Sequence, residues 1–89
     1  MMVAPSVLAA LGNCYAQVGD EAQAASTLVK AANKADNNVL SPAYLIQAGQ
    51  IYEKLGKKAD ALKAYQQIKD KYYGSMQSMD IDKYIERVK

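Results

Sequence analysis

Ala48-Gly49-Gln50-Ile51-Tyr52-Glu53-Lys54-Leu55-Gly56-Lys57-Lys58-Ala59-Asp60-Ala61 reads as the end of one helix, a tight turn, and the start of a second helix folding back on the first. Gly56 stands where a helix that runs through Leu55 needs a residue able to take the left-handed conformation, and good helix formers resume at once. Shifting back by 37 residues gives the same punctuation: Gly12, Tyr15, Gly19 and Ala24 occupy the places of Gly49, Tyr52, Gly56 and Ala61. One helical hairpin is therefore used twice, and the remainder is entry, link or cap.

The rest of the composition agrees. Ala, Leu, Lys, Gln and Glu dominate, there is no Phe or Trp, and seven Tyr with Leu, Ile and Val supply the bulk. Eighty-nine residues make one domain at most, which buries roughly 60–65% of its unfolded surface, so its core must be economical. The two prolines, Pro5 and Pro42, each stand just before an apolar-periodic run, as first-turn helical residues do.

The first helix is expected over about 5–18, with Val7, Leu8, Leu11, Tyr15 and Val18 on one apolar face. Gly19 stops it. Asp20 caps the second helix (about 21–35), with Gln23 completing a variant capping box. Ala24, Ala25, Leu28, Val29, Ala31 and Ala32 turn inward. After Asp36-Asn37-Asn38, Ser41-Pro42 reads as cap and first residue of the third helix (about 42–55), which carries Tyr44, Leu45, Ala48, Ile51, Tyr52 and Leu55. The fourth (about 58–72) turns in Ala61, Leu62, Tyr65 and Ile68. Gly74 reads as its C-cap and Ser75 or Ser78 as the next N-cap. The fifth (about 76–88) shows Ile81, Tyr84, Ile85 and Val88 on one stripe, with Asp80 and Asp82 at its positive end.

Hairpins this small must stack to bury their faces. The two copies resemble the tetratricopeptide repeat, whose unit of about 34 residues carries Trp-x2-Leu-Gly-x2-Tyr, Ala-x3-Phe and a late Pro. Copy one reads Leu8-x2-Leu11-Gly12-x2-Tyr15, Gly19, Ala24-x3-Leu28; copy two reads Leu45-x2-Ala48-Gly49-x2-Tyr52, Gly56, Ala61-x3-Tyr65. The departures are the 37-residue period, with the excess placed around 35–40, Leu at the Trp position, and Asp36 and Tyr73 in place of the late Pro. The resemblance implies an all-α, right-handed α–α superhelix: repeat one over 5–38, repeat two over 41–73 and a capping helix over 76–88, all in one domain that reads as a piece of a longer chain. A narrower likeness links Ser41–Gly56 and Ile81–Ile85 to Bacteroidetes-type repeat proteins similar to the ancillary Sec-translocon subunit. It implies the periplasmic part of a membrane-anchored bacterial protein.

Function is expected to be non-catalytic. No His, Gly-rich phosphate loop or Cys cluster is present, and an acid or nucleophile needs an activating partner in a shaped site. No metal and no cofactor is expected; Asp80-x-Asp82 reads as a helix-dipole complement. The net charge of +2, from eleven bases and nine acids, is too balanced to argue for nucleic acid. No apolar run of about 20 residues is available to insert in a membrane. The lone Cys14 reads as a small buried residue. Tyr15, Tyr52 and Tyr65 fall at core repeat positions, whereas Tyr44, Tyr72 and Tyr73 are freer.

The family resemblance implies a concave groove lined by the first helix of each pair. Here that face is Ser6, Ala9, Asn13, Ala16 and Gln17, then Ala43, Ile46, Gln50, Glu53 and Lys54. Small residues and amides suit a peptide backbone. Relatives that grip a C-terminal carboxylate use Lys and Asn in the first repeat; Asn13 fits, but Ala9 replaces the Lys, so that grip is not expected. The competing reading is a structural segment that self-associates through an apolar N-terminal face formed by Val3, Val7, Leu8 and the second helix.

Overall fold

The computed structural model describes residues 4–89, which run as α1 (Pro5–Gln17), α2 (Glu21–Ala35), α3 (Leu40–Lys54), α4 (Lys58–Lys71), a 3₁₀ turn (Gln77–Asp80) and α5 (Ile81–Arg87). Val3 lies outside the described residues. The two hairpin turns are the same turn made twice. Gly19 and Gly56 take φ of +88° and +77°. At the first, Asp20 N–H donates to Tyr15 O at 2.9 Å and Gly19 N–H to Ala16 O at 3.2 Å; at the second, Lys57 N–H donates to Tyr52 O at 2.8 Å and Gly56 N–H to Glu53 O at 3.0 Å. These are paired bonds that close a helix around a left-handed residue. Asp20 also accepts from Gln23 N–H at 3.3 Å. The return half of the expected capping box has nothing to satisfy, because Asp20 N–H is already committed to Tyr15.

Each helix packs on the next in chain order, giving an all-α stack of two hairpins closed by α5. Two clusters hold it together. Ala9, Ala25, Leu28, Ala31 and Ala48 join α1, α2 and α3. Ala32, Leu45, Ala61, Ala64, Tyr65, Ile68, Tyr72, Ile81, Ile85 and Val88 join α2 through α5. Alanine dominates the helix contacts because it lets backbones approach, and Tyr65 is the largest fully buried side chain among the described residues. A Cβ on Gly12 would meet Leu28 Cγ at 3.0 Å, and one on Gly49 would overlap the Tyr65 ring. Leu28 and Tyr65 are themselves 37 residues apart, so the repeat holds in the packing as well as in the turns.

Several local expectations are corrected. The apolar stripe of α1 does not go inward as a set: Val7, Leu11 and Val18 are exposed, Leu8 and Tyr15 are half-buried, and the buried residues are Ala9 and Gly12. Contact with α2 demands small side chains, so the larger ones turn away. Cys14, expected to be buried, is exposed on that outer side. α3 starts at Leu40, and its cap is Asn37 rather than Ser41: Asn37 Oδ1 accepts from Val39 N–H at 2.9 Å and Leu40 N–H at 2.8 Å. Ser41 is buried within the first turn and donates Oγ–H to Ala32 O at 2.6 Å, stapling α3 to the end of α2. The left-handed residue of this link is Asp36, at φ +47°.

Gly74 does not cap α4; the C-cap is Tyr72, whose carbonyl accepts from the Ser75 hydroxyl at 2.7 Å and the Ser75 N–H at 3.0 Å, while Ser75 Oγ accepts from Ser78 N–H at 3.2 Å. The fifth helix is also shorter than its periodicity suggests. Ser78 Oγ lies 2.6 Å from both Tyr73 O and Ser75 O, with its one proton to share between them, and this local bonding holds Gln77–Asp80 as 3₁₀ before α5 begins. Its expected stripe is intact, with Ile81, Ile85 and Val88 buried and Tyr84 half-buried. Tyr72, read as freer than the core-position tyrosines, is buried and donates its hydroxyl to Asp36 Oδ1 at 2.9 Å.

Candidate partner-binding surface

The groove between α1 and α3 is set by the α1–α2 turn. That turn puts the N-terminus of α2 beside the C-terminal half of α3, where Lys54 Nζ reaches Glu21 Oε1 at 2.7 Å. A hollow of about 450 Å³ opens there, lined by Ala16, Glu21, Gln47, Gln50, Ile51 and Lys54. Ile51 gives it an apolar floor that continues into the α1–α2–α3 cluster. Gln47 and Gln50 stand one turn apart on α3, both exposed, and offer amide donors and acceptors above that floor. The Lys54–Glu21 pair closes one rim. Lys54 is mostly in water, so the pair contributes little to stability and opens at low cost.

Of the ten residues expected along the groove, Ala16, Gln50 and Lys54 are brought together in this hollow. Ser6, Asn13 and Gln17 are exposed on α1 outside its lining, and Ala43 is half-buried early in α3. Ala9 is not open to a ligand; it belongs to the core with Ala25, Leu28, Ala31 and Ala48. Ile46 faces a second hollow of about 220 Å³, with Met76, Gln77, Asp80 and Tyr84. Glu21, Gln47 and Ile51 were not anticipated. Glu21 comes from α2, the helix discounted as groove-lining, whereas Gln47 and Ile51 sit one position from expected residues.

Glu53 is occupied by the fold. Arg87 of α5 grips it with Nε to Oε1 at 2.7 Å and a second nitrogen to Oε2 at 2.8 Å, while Tyr65 donates its hydroxyl to the same carboxylate. The Arg87 guanidinium holds the Glu53 carboxyl below the usual carboxylate range, against the opposing effect of burial, and the Tyr65 hydroxyl adds to the lowering. Burial first, and then the Glu53 charge, push the Tyr65 hydroxyl well above its ordinary value. Arg87 also lies over the Tyr84 ring at 5.0 Å, and Tyr84 packs on Tyr65 with centroids 5.2 Å apart. This network pins α5 across α3 and α4. A second pin joins Lys69 of α4 to Asp82 of α5 at 2.8 Å.

On the α2–α4 side a third hollow of about 270 Å³ is lined by Val29, Tyr52, Asp60, Lys63, Ala64 and Gln67. Burial, with Asp60 nearby, raises the Tyr52 hydroxyl above its usual range, so it stays a neutral hydrogen-bonding group. Among the described residues no group of three His, Cys, Asp or Glu is placed to hold a metal ion, and no helix is long and apolar enough to cross a membrane.

Residues 42–70 match the family model of the tetratricopeptide repeat. The match starts at Pro42 in α3 and ends at Asp70 in α4, so it coincides with the second hairpin. No curated protein and no solved structure matches the chain. The narrower likeness to Sec-translocon-associated repeat proteins therefore rests on residues 41–56 and 81–85 alone. Repeats of this family generally mediate protein–protein interactions and are generally non-catalytic.

Proposed function

We propose that the chain is a non-catalytic protein-binding module that receives an extended peptide segment of a partner in the hollow between α1 and α3. The observation that carries this reading is the pairing of an Ile51 floor with two exposed amides, Gln47 and Gln50, beside an easily opened Lys54–Glu21 rim. An apolar floor rewards one or two aliphatic side chains of the peptide. The amides bond its backbone whatever its sequence, and either end of the rim pair is free to meet a charge. Such a site suits a short extended segment held without covalent chemistry. Ser6, Asn13, Gln17 and Ala43 extend the surface along both helices.

The test is a random 12-residue peptide library displayed against the chain, followed by titration of a selected peptide into isotopically labelled protein. Amide shifts are expected to concentrate at Ala16, Glu21, Gln47, Gln50, Ile51 and Lys54. Ile51→Glu should weaken binding at least tenfold, since it places a charge on the apolar floor. Failure to select any peptide, or shifts centred on Tyr73, Met76 and Met79 instead, would overturn the assignment.

A further inference from the structure

The hollow of about 270 Å³ between α2 and α4 holds charged groups that the fold leaves unspent. Its lining comes from three helices: Val29 of α2, Tyr52 of α3, and Asp60, Lys63, Ala64 and Gln67 of α4. The four α4 positions are spaced three, one and three, so they share one face of that helix. Val29 and Ala64 give it apolar walls that continue into the core. Gln67 Nε2 donates to Asn33 Oδ1 at 2.8 Å and ties α4 to α2 at one end. Asp60, about two turns earlier on α4, stands at the other.

Asp60 and Lys63 have a spacing at which opposite charges on a helix are neighbours. They do not meet here, and neither belongs to any of the five ion pairs among the described residues. The repeat does not ask for them either. Moved back by 37 residues they become Gln23 and Ser26, both uncharged, in a hairpin with the same left-handed glycine turn. Tyr52 has its counterpart in Tyr15, so the ring belongs to the repeat and the charged pair is an addition to it. Burial, and then the nearby Asp60 charge, keep the Tyr52 hydroxyl protonated, which adds an uncharged hydrogen-bonding group.

Opposite charges held apart beside an apolar wall suit a small molecule that carries both charges itself. The volume lies just under the range of about 300–1,000 Å³ that takes drug-sized ligands, so the occupant is smaller than those. We propose that this hollow binds a free α-amino acid with an aliphatic side chain, its ammonium on Asp60, its carboxylate on Lys63 and its side chain against Val29 and Ala64. A phosphate ester is opposed by Asp60, and a simple cation by Lys63. Both charged side chains are open to water, so each contact contributes little and affinity is expected in the millimolar range.

L-valine titrated into isotopically labelled protein tests this, beside valinamide, which lacks the carboxylate, and N-acetylvaline, which lacks the ammonium. Saturable amide shifts are expected at Val29, Asp60, Lys63 and Ala64, with each analogue binding at least about threefold more weakly than valine. Asp60→Asn should weaken valine by a similar factor without weakening N-acetylvaline. Lys63→Met should weaken valine likewise without weakening valinamide. Both positions are exposed, so each variant's spectrum should otherwise match the parent's. Shifts that do not saturate, shifts scattered beyond this hollow, or valine binding that both variants leave intact would overturn the proposal. Analogues that bind as tightly as valine would overturn it too. This hollow shares no lining residue with the one between α1 and α3, so amino-acid binding and peptide binding fail separately.

Discussion

Gly49 and Gly12 occupy equivalent places in the two hairpins, yet they face different neighbours. A methyl at Gly49 would run into the ring of Tyr65, which is buried and tied to Glu53, whereas one at Gly12 would meet Leu28 Cγ at 3.0 Å and Ala24 O at 3.3 Å, tight contacts that stop short of overlap. Overpacking costs about 1–3 kcal/mol, and replacing a helical Gly with Ala returns about 1 kcal/mol. Gly49→Ala is therefore expected to lose up to about 2 kcal/mol in urea denaturation, and Gly12→Ala to stay within about 0.5 kcal/mol of the parent. Equal losses would show that the Tyr65 ring yields as readily as the leucine.

Glu53 supplies the pH dependence at this scale. Its carboxyl is depressed in the folded state, chiefly by Arg87, so the stability it contributes is present above the unfolded carboxylate value near 4.3. That stability is lost as pH falls through the lower folded value. Arg87→Met should cost about 1 kcal/mol at neutral pH and should make the acid limb of the stability profile shallower. A slope unchanged between the two chains would place the acid sensitivity elsewhere. Tyr65 acts on the other side. Its raised hydroxyl keeps its contribution below pH 10, and that contribution declines as pH climbs beyond.

At the scale of the element, the link between hairpins is more specified than its polar sequence suggests. Asn37 caps α3 through two backbone amides, and Ser41 bonds Ala32 O across the link. Asn37→Ala removes the cap and is expected to cost about 1 kcal/mol. Ser41→Ala removes a buried bond and is expected to cost about 1–2 kcal/mol, although Ala32 O keeps its bond from Asp36 N–H at 2.9 Å. Hydrogen exchange distinguishes them. The amides of Val39 and Leu40 should lose protection in Asn37→Ala and retain it in Ser41→Ala. Loss of those two amides in the serine variant instead would return the capping role to Ser41.

The whole molecule is a thin slab. Its Cα extents are 35 × 27 × 15 Å and its radius of gyration is 12.1 Å. A slab that thin leaves most helices with one side near water, so the terminal helix carries a large share of the core. Ile81, Ile85 and Val88 are each worth about 1.5–3 kcal/mol of burial, which together compares with the whole stability of a domain this size, about 5–15 kcal/mol. Truncation before Ile81 is expected to abolish the cooperative thermal transition and to raise binding of an apolar dye to the bared Tyr65 and Ile68. A sharp transition retained by the truncated chain would show that two hairpins suffice.

What could be read without coordinates was whatever depends on neighbours along the chain. The spans of the first four helices to within two residues, the two left-handed glycine turns, the inward stripe of α5 and the 37-residue register are local consequences of propensity, capping and periodicity, and they stand in the structure as the residues suggest; the length of α5 does not. What needed the tertiary structure was every choice between two faces of one helix and every partner far along the chain. α1 has apolar residues on both sides, and only the need for small side chains against α2 decided that Ala9 goes in and Leu11 stays out. Glu53 matched the groove pattern, but Arg87, 34 residues later, claims it. Glu21 reached the hollow because the glycine turn swings the start of α2 beside Lys54. Periodicity describes a helix about its own axis, whereas burial and pairing depend on what the next helix places against it.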